Sequence, residues 1–236
     1  MTTLAPVRPS NPARLSRELA GLFPPGVTAA ELAGDPPQGL LSGAEAAVIS
    51  HCSDKRIRDF TAGRLCARRA LEEFGVRDFA LLPAPDRTAL WPPPLLGSIT
   101  HTEGYSAAVL ARREDFAGLG VDSERLSAVH EELWTRICTP PELGRLQGLP
   151  PQQRAGAATL VFAAKEAFYK CQYPLTGEWL EFEDLEIASP ELGSEAGEFF
   201  VLPRRALRLG SHPLAGWRGR FHTHGAYLSC GVALGV

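Results

Sequence analysis

The chain has 236 residues, of which 44% are hydrophobic and 22% charged, with a formal net charge of −3 at pH 7. This composition is typical of a soluble globular protein with one large domain or two small ones, whose core needs no disulfide support. The slightly acidic balance argues against a dedicated nucleic-acid binder, and no run approaches the roughly 18 apolar residues of a membrane span.

The first residues, MTTLAPVRPSNPARL, lack the apolar segment of a secretory signal peptide. Five Cys residues are scattered without C-x-x-C spacing, which disfavours a zinc site and is typical of reduced thiols. We therefore expect a cytoplasmic protein. Residues 1–43 are rich in Pro and Gly, which predicts an irregular segment covering the core.

Residues 44–75 are predicted to be helical, with Gly75 suited to the C-cap. Apolar side chains recur there at spacings of three, four and seven residues, which makes one stripe of a helix: Ile57, Phe60, Ala67, Leu71 and Phe74.

Arg64 falls inside this apolar stripe, and Arg56 lies at its edge, two turns earlier. A guanidinium group in the stripe must reach solvent, pair with an acid or bind an anion. The planar fork of Arg suits phosphate oxygens, whereas an internal salt bridge is the alternative interpretation.

Residues 95–111 are predicted to form a β-hairpin that turns at Thr102-Glu103-Gly104. His101 stands at the end of the first strand, where it either has a structural role or reaches a phosphate. The run AGLGVDSE predicts a buried strand at 117–124, and strand alternation turns Asp122 and Glu124 to the same side. A cation between them would offset their repulsion, although a solvated strand end is the alternative.

The second half alternates helices and strands. Residues 128–148 are predicted to be helical with a break at Pro140-Pro141, and residues 152–172 to form a strong helix ending before Pro174. Strands are expected at 180–188 and 198–203, followed by a hairpin at 217–234.

Glu166 and Lys170 share one face of the predicted helix 152–172. Such an i,i+4 pair is commonly a surface ion pair worth about 0.2–0.5 kcal/mol. Beside Asp122 and Glu124, however, it completes a set of three acids and a Lys, which is what a magnesium–phosphate site requires.

The segments HTEG at 101 and HTHG at 222 both precede a small, apolar strand. This similarity predicts an internal duplication of a helix and a hairpin, joined near residues 112–116, although chance similarity of two hairpins is the alternative. Asp122 and Glu124 would then face the seam between the halves. His222 and His224 have no further metal ligands nearby, and we interpret them as structural.

Four motifs in order resemble the surfactin/enterobactin-type 4′-phosphopantetheinyl transferases, in the subgroup of the enterobactin synthetase enzyme: KRIRDFTAGRLCARRAL, LWPPPLLGSITHT, GLGVDSE and FAAKEAFYK. The resemblance covers about residues 50–187, and the C-terminal hairpin also fits. It implies an α+β fold of two similar halves with antiparallel sheets, residues 1–114 and 115–236, related by a pseudo-twofold axis. The active site would lie between the halves.

The resemblance implies that a 4′-phosphopantetheine arm is moved from coenzyme A to a Ser of an acyl or peptidyl carrier protein, leaving 3′,5′-ADP. By position, Asp122, Glu124 and Glu166 match ligands of Mg²⁺, for which Mn²⁺ is an alternative. Glu166 also matches the base for the carrier Ser. Lys170 matches the residue that contacts the diphosphate and assists the leaving group, so the implied catalytic set is Asp122, Glu166 and Lys170.

For coenzyme A, the resemblance implies that Arg56, Arg64 and His101 hold the 3′-phosphate and adjoining phosphates. Thr100 stands where a neighbouring phosphate or the adenine is contacted. Many relatives carry a Lys- or Arg-Gly-x-Pro segment before the Trp-Pro, where this chain has DRTALWP, and Arg87 best matches that basic residue.

The implied partners are coenzyme A and a carrier protein of a fatty acid, polyketide or nonribosomal peptide synthase. Arg68 and Arg69 are candidates for a basic patch that docks an acidic carrier. We expect a monomer with no nucleic-acid or membrane partner. The alternatives are a metal-dependent phosphohydrolase or nuclease, and a non-catalytic module that binds coenzyme A or a carrier.

Overall fold

The computed structural model of this protein contains two antiparallel β-sheets, and each packs against one long helix. The model describes residues 13–209, 212–214 and 217–236. Six α-helices lie in these ranges: α1 (Arg17–Ala20), α2 (Gly43–Val48), α3 (Asp54–Glu72), α4 (Trp134–Ile137), α5 (Pro140–Gly148) and α6 (Pro151–Thr176). None of these helices is long and apolar enough to cross a membrane.

The first sheet has the strand order β1-β2-β4-β3 and packs on α3. Its strands are β1 (Arg14–Leu15), β2 (Thr28–Ala33), β3 (Leu95–Thr102) and β4 (Tyr105–Arg112). The hairpin of β3 and β4 confirms the prediction for 95–111 and closes through Glu103 and Gly104. Gly104 has a φ of 76°, which glycine adopts at no steric cost.

The second sheet has the order β5-β11-β10-β7-β6 and packs on α6. Its strands are β5 (Phe116–Arg125), β6 (Leu185–Ala188), β7 (Ala196–Pro203), β10 (Trp217–His224) and β11 (Tyr227–Gly235). A separate pair is formed by β8 (Leu207–Leu209) and β9 (His212–Leu214). The strand predicted at 117–124 and the hairpin predicted at 217–234 are both confirmed.

The prediction of an irregular segment at 1–43 is wrong for part of its length, and its residues 1–12 lie outside the described residues. Strand β2 lies inside the first sheet, paired with β1 on one side and β4 on the other. Its sequence TAAELA contains three Ala, a residue with low β-propensity, so the strand is formed by its sheet neighbours rather than by local preference.

The helix predicted at 44–75 is two helices separated at residues 49–53. Each begins at its own N-cap serine: the Ser42 hydroxyl accepts from the Glu45 N–H, and the Ser53 hydroxyl accepts from the Arg56 N–H. A serine cap satisfies orphan donors of a first helical turn, so Ser53 starts a new helix.

Helix α6 continues through Pro174 to Thr176, so the prediction that it ends before that proline is wrong. Gly177 then caps it in the left-handed region, with its N–H bonded to the carbonyl of Tyr173. The proline removes only one backbone donor near the helix end, and burial of the helix against the second sheet outweighs this loss.

Two other helix and strand predictions are refined. The break predicted at Pro140-Pro141 is the start of α5, where Thr139 and Glu142 form a capping box. Of the strand predicted at 180–188, only Leu185–Ala188 is extended. The preceding residues form a 3₁₀ turn in which Asp184 accepts from the Glu181 N–H, and this local bond competes with strand pairing.

The two hairpins that carry HTEG and HTHG close with two-residue turns, at Glu103-Gly104 and Gly225-Ala226. When the turns are superposed in register, Thr102 corresponds to His224, because each is the last paired residue of its strand. The sequence match pairs Thr102 with Thr223 and is therefore out of register by one residue.

Candidate active site between the two sheets

Helix α6 lies unusually close to strand β5 because two glycines of the strand face it. A Cβ on Gly120 would overlap the carbonyl oxygen of Ala167, and a Cβ on Gly118 would lie 2.8 Å from the carbonyl oxygen of Cys171. This contact brings the helix face of Glu166 and Lys170 against the strand that carries Asp122. The glycines of GLGVDSE are therefore the local reason why the acidic strand and the Lys-Glu helix meet.

Asp122 is 4% exposed, and its two carboxylate oxygens have different surroundings. Oδ1 accepts from Lys170 Nζ at 2.6 Å and from Thr100 Oγ1 at 3.1 Å. Oδ2 is buried and has no hydrogen-bond partner in the described part of the chain. A buried carboxylate oxygen without a hydrogen-bond donor is costly, so a cation placed at Oδ2 would be stabilised.

Glu124 and Glu166 are both partly buried close to Asp122. Burial and the charge of Asp122 raise the pKa of Glu124 to about 7, although the hydrogen bond from Thr102 and the charge of Lys170 oppose this rise. The same two causes, burial first and Asp122 second, raise the pKa of Glu166. The three carboxylates therefore repel one another, and Lys170 offsets only part of that repulsion.

This donor set fits a hard divalent cation. Mg²⁺ prefers carboxylate oxygens and keeps several waters, so it does not require a closed protein cage. Among the described residues, no three His, Cys, Asp or Glu side chains converge on one point as a preformed metal site. The unpartnered Oδ2 of Asp122 and the raised pKa of Glu124 nevertheless both mark a position where added positive charge would be stabilised.

Strand β3 faces β5 across the junction of the two sheets with three hydroxyl side chains, Ser98, Thr100 and Thr102. Thr100 is buried, and its hydroxyl accepts from the Ser123 N–H at 2.9 Å while donating to Asp122. The sequence analysis overlooked Ser98 and Thr102. Their signal was the period-two repetition of hydroxyls in GSITHT, which places all three on one face of a strand.

His101 points to the other side of β3, toward the start of α3. Its Nε2 lies 3.4 Å from Arg56 Nη1, and its Nδ1 lies 4.0 Å from Asp59 Oδ2. Burial, followed by the charges of Lys170, Arg56 and Lys55, lowers the pKa of His101, against the opposing effect of Asp59. Two basic groups from separate elements thus meet near Lys170, and phosphate binding by them stays a prediction.

Arg64 is buried, and it belongs to no ion pair between residues that the structure describes. Its Nε donates to the carbonyl of Leu81 at 3.1 Å, and its guanidinium carbon stacks 3.7 Å from the centre of the Phe60 ring. Burial lowers the pKa of Arg64 to about 10. The negative charge of Glu45 opposes this lowering, whereas the positive charges of Arg56 and Arg68 add to it.

Arg87 is exposed, with a φ of 71°, in the turn that links the two sides of the Pro83–Ala89 bridge. Burial, followed by Tyr173, Glu166 and the charge of the neighbouring Asp86, raises the pKa of Tyr169 on α6. Arg68 and Arg69, by contrast, are ion-paired within the chain, Arg68 with the buried Glu45 and Arg69 with Glu72 and Glu73.

Lys165 precedes Glu166 in sequence but has different surroundings, with only 1% of its surface exposed. Its ammonium donates to Glu142 and to the carbonyls of Ile137 and Phe182, each at 2.8 Å. This buried cluster fastens α6 to α4, α5 and the turn before β6. The sequence analysis did not identify it, since a helical Lys beside an active-site Glu is ordinarily solvent-exposed.

A cleft of about 170 Å³ opens beside Glu166. Four aromatic or aliphatic side chains line it with Leu185, Lys165, Glu166 and Glu181: Tyr169, Trp179, Leu180 and Phe182. Trp179 is 67% exposed. Aromatic and aliphatic walls beside carboxylates can hold a flexible chain with a polar end.

His222 and His224 lie apart from these residues, at the opposite side of the seam. His224 Nε2 and Ser229 Oγ are 2.8 Å apart, and the His224 ring packs against the rings of Tyr105 and Tyr227. These contacts agree with the structural interpretation of the two histidines.

Two family models match the chain. The 4′-phosphopantetheinyl transferase N-terminal domain model matches residues 44–111, and the 4′-phosphopantetheinyl transferase superfamily model matches residues 118–217. The boundary between the two matches lies between β4 and β5, where the chain passes from the first sheet to the second.

Individual relatives agree with the models. The chain is 35% identical to 4′-phosphopantetheinyl transferase Svp of Streptomyces mobaraensis, over 80% of this chain and 76% of that protein. It is 32% identical to 4′-phosphopantetheinyl transferase Npt of Nocardia iowensis, over 90% of this chain and 97% of that protein. It is 36% identical to 4′-phosphopantetheinyl transferase PptT of Mycobacterium tuberculosis, over 67% and 69% respectively.

Proposed function

The chain belongs to the 4′-phosphopantetheinyl transferase superfamily and is a transferase, and we propose that it moves the arm of coenzyme A to a Ser of an apo carrier protein. One observation of the site supports this most: Asp122 offers a buried, unpartnered oxygen while its other oxygen holds Lys170. Such a carboxylate can bind a metal through one oxygen while its other oxygen holds the Lys170 ammonium, which can contact a diphosphate. The second product would be 3′,5′-ADP.

We propose Asp122, Glu124 and Glu166 as the residues that hold Mg²⁺, or Mn²⁺ in its place. Mg²⁺ would supply charge neutralisation of the diphosphate and polarisation of the phosphorus under attack. Its binding would also relieve the mutual repulsion that raises the pKa of Glu124 and Glu166.

Glu166 is the proposed general base. It lines the cleft where a carrier Ser would meet the diphosphate, and its raised pKa brings its proton affinity closer to neutral pH, which favours proton transfer. The Ser hydroxyl gives its proton to Glu166 as its oxygen bonds to phosphorus, and the bond to the 3′,5′-ADP oxygen breaks. Lys170 lies beside Asp122 and would stabilise the charge that develops on this leaving group.

The remaining basic residues would hold the nucleotide end of coenzyme A. Arg56 and His101 lie together, Arg64 is buried on the same helix as Arg56, and Arg87 is exposed. Thr100, also assigned to coenzyme A by the resemblance, has its hydroxyl bonded to Asp122 and Ser123, so we propose that it acts through these contacts. The aromatic cleft beside Glu166 would receive the pantetheine arm.

The proposed organisation is two halves, residues 1–114 and 115–236. The change of sheet between β4 and β5 supports this division, and the contacts from Thr100 and Thr102 to β5 support a site between the halves. One chain thus contains every proposed site residue, which is compatible with activity as a monomer.

The assay mixes the protein with coenzyme A, Mg²⁺ and an apo carrier protein, and measures the intact mass of the carrier. We expect a gain of one phosphopantetheine arm, which Glu166→Gln abolishes while coenzyme A still binds. Glu132→Gln, which changes an exposed Glu, is the matched control and keeps wild-type activity. Arg64→Ala should mainly raise the KM for coenzyme A, and an effect confined to kcat would contradict a binding role.

The same assay separates the alternatives. Release of inorganic phosphate or cleavage of nucleic acid without a carrier would indicate the phosphohydrolase or nuclease. A protein that binds coenzyme A but never modifies a carrier, with or without Glu166, would be a binding module. A panel of apo carriers from fatty acid, polyketide and nonribosomal peptide synthases identifies the preferred partner.

A further inference from the structure

Strands β3 and β5 run side by side at the seam, although each is the edge strand of a different sheet. Hydroxyl groups of β3 connect them. Ser98 Oγ accepts from the Val121 N–H at 3.2 Å, and Thr100 Oγ1 accepts from the Ser123 N–H at 2.9 Å. Because Val121 and Ser123 are fully buried, their backbone donors need these partners.

The Thr102 hydroxyl lies in the same row but bonds a side chain instead of a backbone N–H group. It donates to Glu124 Oε2 at 3.0 Å. Among the described residues, no backbone N–H donates to this hydroxyl, in contrast to those of Ser98 and Thr100. Its bond therefore satisfies no backbone donor of β5 and is directed at a carboxylate of the candidate site.

We infer that Thr102 is a positioning residue that orients the Glu124 carboxylate for the metal, an inference that rests on the proposed magnesium site. Donation to Oε2 fixes the rotation of the carboxylate and leaves its other oxygen to the cation. Thr100 holds Asp122 in the same manner, through Oδ1, and there Oδ2 is the oxygen without a partner. The first half of the chain thus sets the orientation of two ligands carried by the second half.

The expected loss of metal affinity can be estimated from residues that hydrogen-bond the ligands in other metal sites. Residues that hydrogen-bond a ligand commonly change metal affinity by about 10- to 100-fold when removed. Thr102→Val keeps the shape of the side chain and removes only the hydroxyl. We expect it to weaken binding of Mn²⁺ to the metal-free protein by about 10-fold or more.

The experiment measures Mn²⁺ affinity by electron paramagnetic resonance or calorimetry, without coenzyme A or carrier. Thr102→Ser, which keeps the hydroxyl, should restore most of the affinity. In the transfer assay, Thr102→Val should need more Mg²⁺ for half-maximal rate, with an unchanged KM for coenzyme A at saturating Mg²⁺. Thr61→Val is the matched control, because the Thr61 hydroxyl bonds only the Ile57 carbonyl of its own helix.

Comparison with Glu124→Gln separates the two proposals. If Glu124→Gln binds Mn²⁺ as tightly as wild type, the proposed metal site is wrong, and the role of Thr102 fails with it. If Glu124→Gln loses affinity and Thr102→Val does not, only the role of Thr102 is overturned. If Thr102→Ser does not restore Mn²⁺ affinity, or if Thr61→Val loses as much affinity as Thr102→Val, the Thr102 hydroxyl is not the cause of the weaker binding.

Discussion

The ammonium of Lys170 lies 2.6 Å from Asp122 Oδ1, while Oδ2 of the same carboxylate is buried without a partner. Lys170 is on helix α6 and Asp122 on strand β5, so the pair joins the two elements that carry the proposed chemistry. It also leaves the site with more negative than positive charge, since Glu124 and Glu166 lie close by. Both the excess of negative charge and the packing of α6 against β5 have consequences that can be measured.

Lys170→Ala should lower kcat for arm transfer by about 100-fold or more, because the leaving group loses the ammonium that is proposed to stabilise its charge. It should also destabilise the metal-free protein by about 1.5–3 kcal/mol, since the buried Asp122 loses a charged hydrogen-bond partner. Steady-state kinetics and denaturant unfolding measure the two effects, with Lys170→Arg as the charge-retaining comparison. A change in KM alone would contradict the assigned role.

Glu124→Gln should change how the stability of the metal-free protein depends on pH. The folded-state pKa of Glu124 is raised to about 7, so its protonated form is favoured by folding. Stability from this group is present below its unfolded pKa of about 4.5 and is lost as the pH rises through about 7. Between about pH 5 and 8, the wild type should therefore lose stability relative to Glu124→Gln.

Thermal unfolding in EDTA at several pH values tests this expectation. Added Mg²⁺ should raise the Tm of the wild type at pH 8 and have little effect on Glu124→Gln, because binding to the folded state stabilises it. Parallel pH curves for the two proteins would show that Glu124 is not subject to the repulsion described above.

Gly120→Ala should separate α6 from β5, because the added Cβ overlaps the carbonyl oxygen of Ala167. We expect a loss of about 1–3 kcal/mol in unfolding free energy, as for overpacked cores, together with loss of transfer activity. Gly156→Ala is the control in α6, where a Cβ meets no atom within 4 Å. It should stabilise the helix by about 0.5–1 kcal/mol and leave activity unchanged. Equal effects of the two changes would exclude close packing as the reason for Gly120.

Lys165→Met should lower the free energy of unfolding by about 3–5 kcal/mol, because it leaves the buried Glu142 without its charged partner. Lys55→Met removes a comparable ion pair with Asp59 whose Lys is 73% exposed, and it should cost less than about 1 kcal/mol. Denaturant titration of both variants checks the difference. A small effect of Lys165→Met would mean that Glu142 is adequately held by the backbone donors of Thr139 and Ile187.

Local periodicity was sufficient to predict the two faces that carry the proposed chemistry. Strand alternation places Asp122 and Glu124 on one side, and helical spacing places Glu166 and Lys170 together. The family predicted from four motifs is confirmed by the matches to both halves. These features depend on residues near one another in the chain, so the sequence expresses them directly.

Other features were decided only by tertiary structure, because they depend on residues far apart in the chain. Strand β2 exists through its pairing with β4, although three of its six residues are Ala. Lys165 and Lys170 are one helical turn and a half apart, yet one is enclosed by Glu142 and backbone carbonyls while the other faces Asp122.

The sequence by itself determined the family, the acidic strand, the Lys-Glu helix and the basic residues, since each is a pattern of types and spacings. Three features depend on the tertiary structure. The lack of a Cβ at Gly120 lets α6 pack closely on β5, one oxygen of Asp122 has no hydrogen-bond partner among the described residues, and the Thr102 hydroxyl donates to Glu124. Periodicity specifies which side of an element a residue occupies, whereas the identity of what lies opposite depends on packing between distant segments.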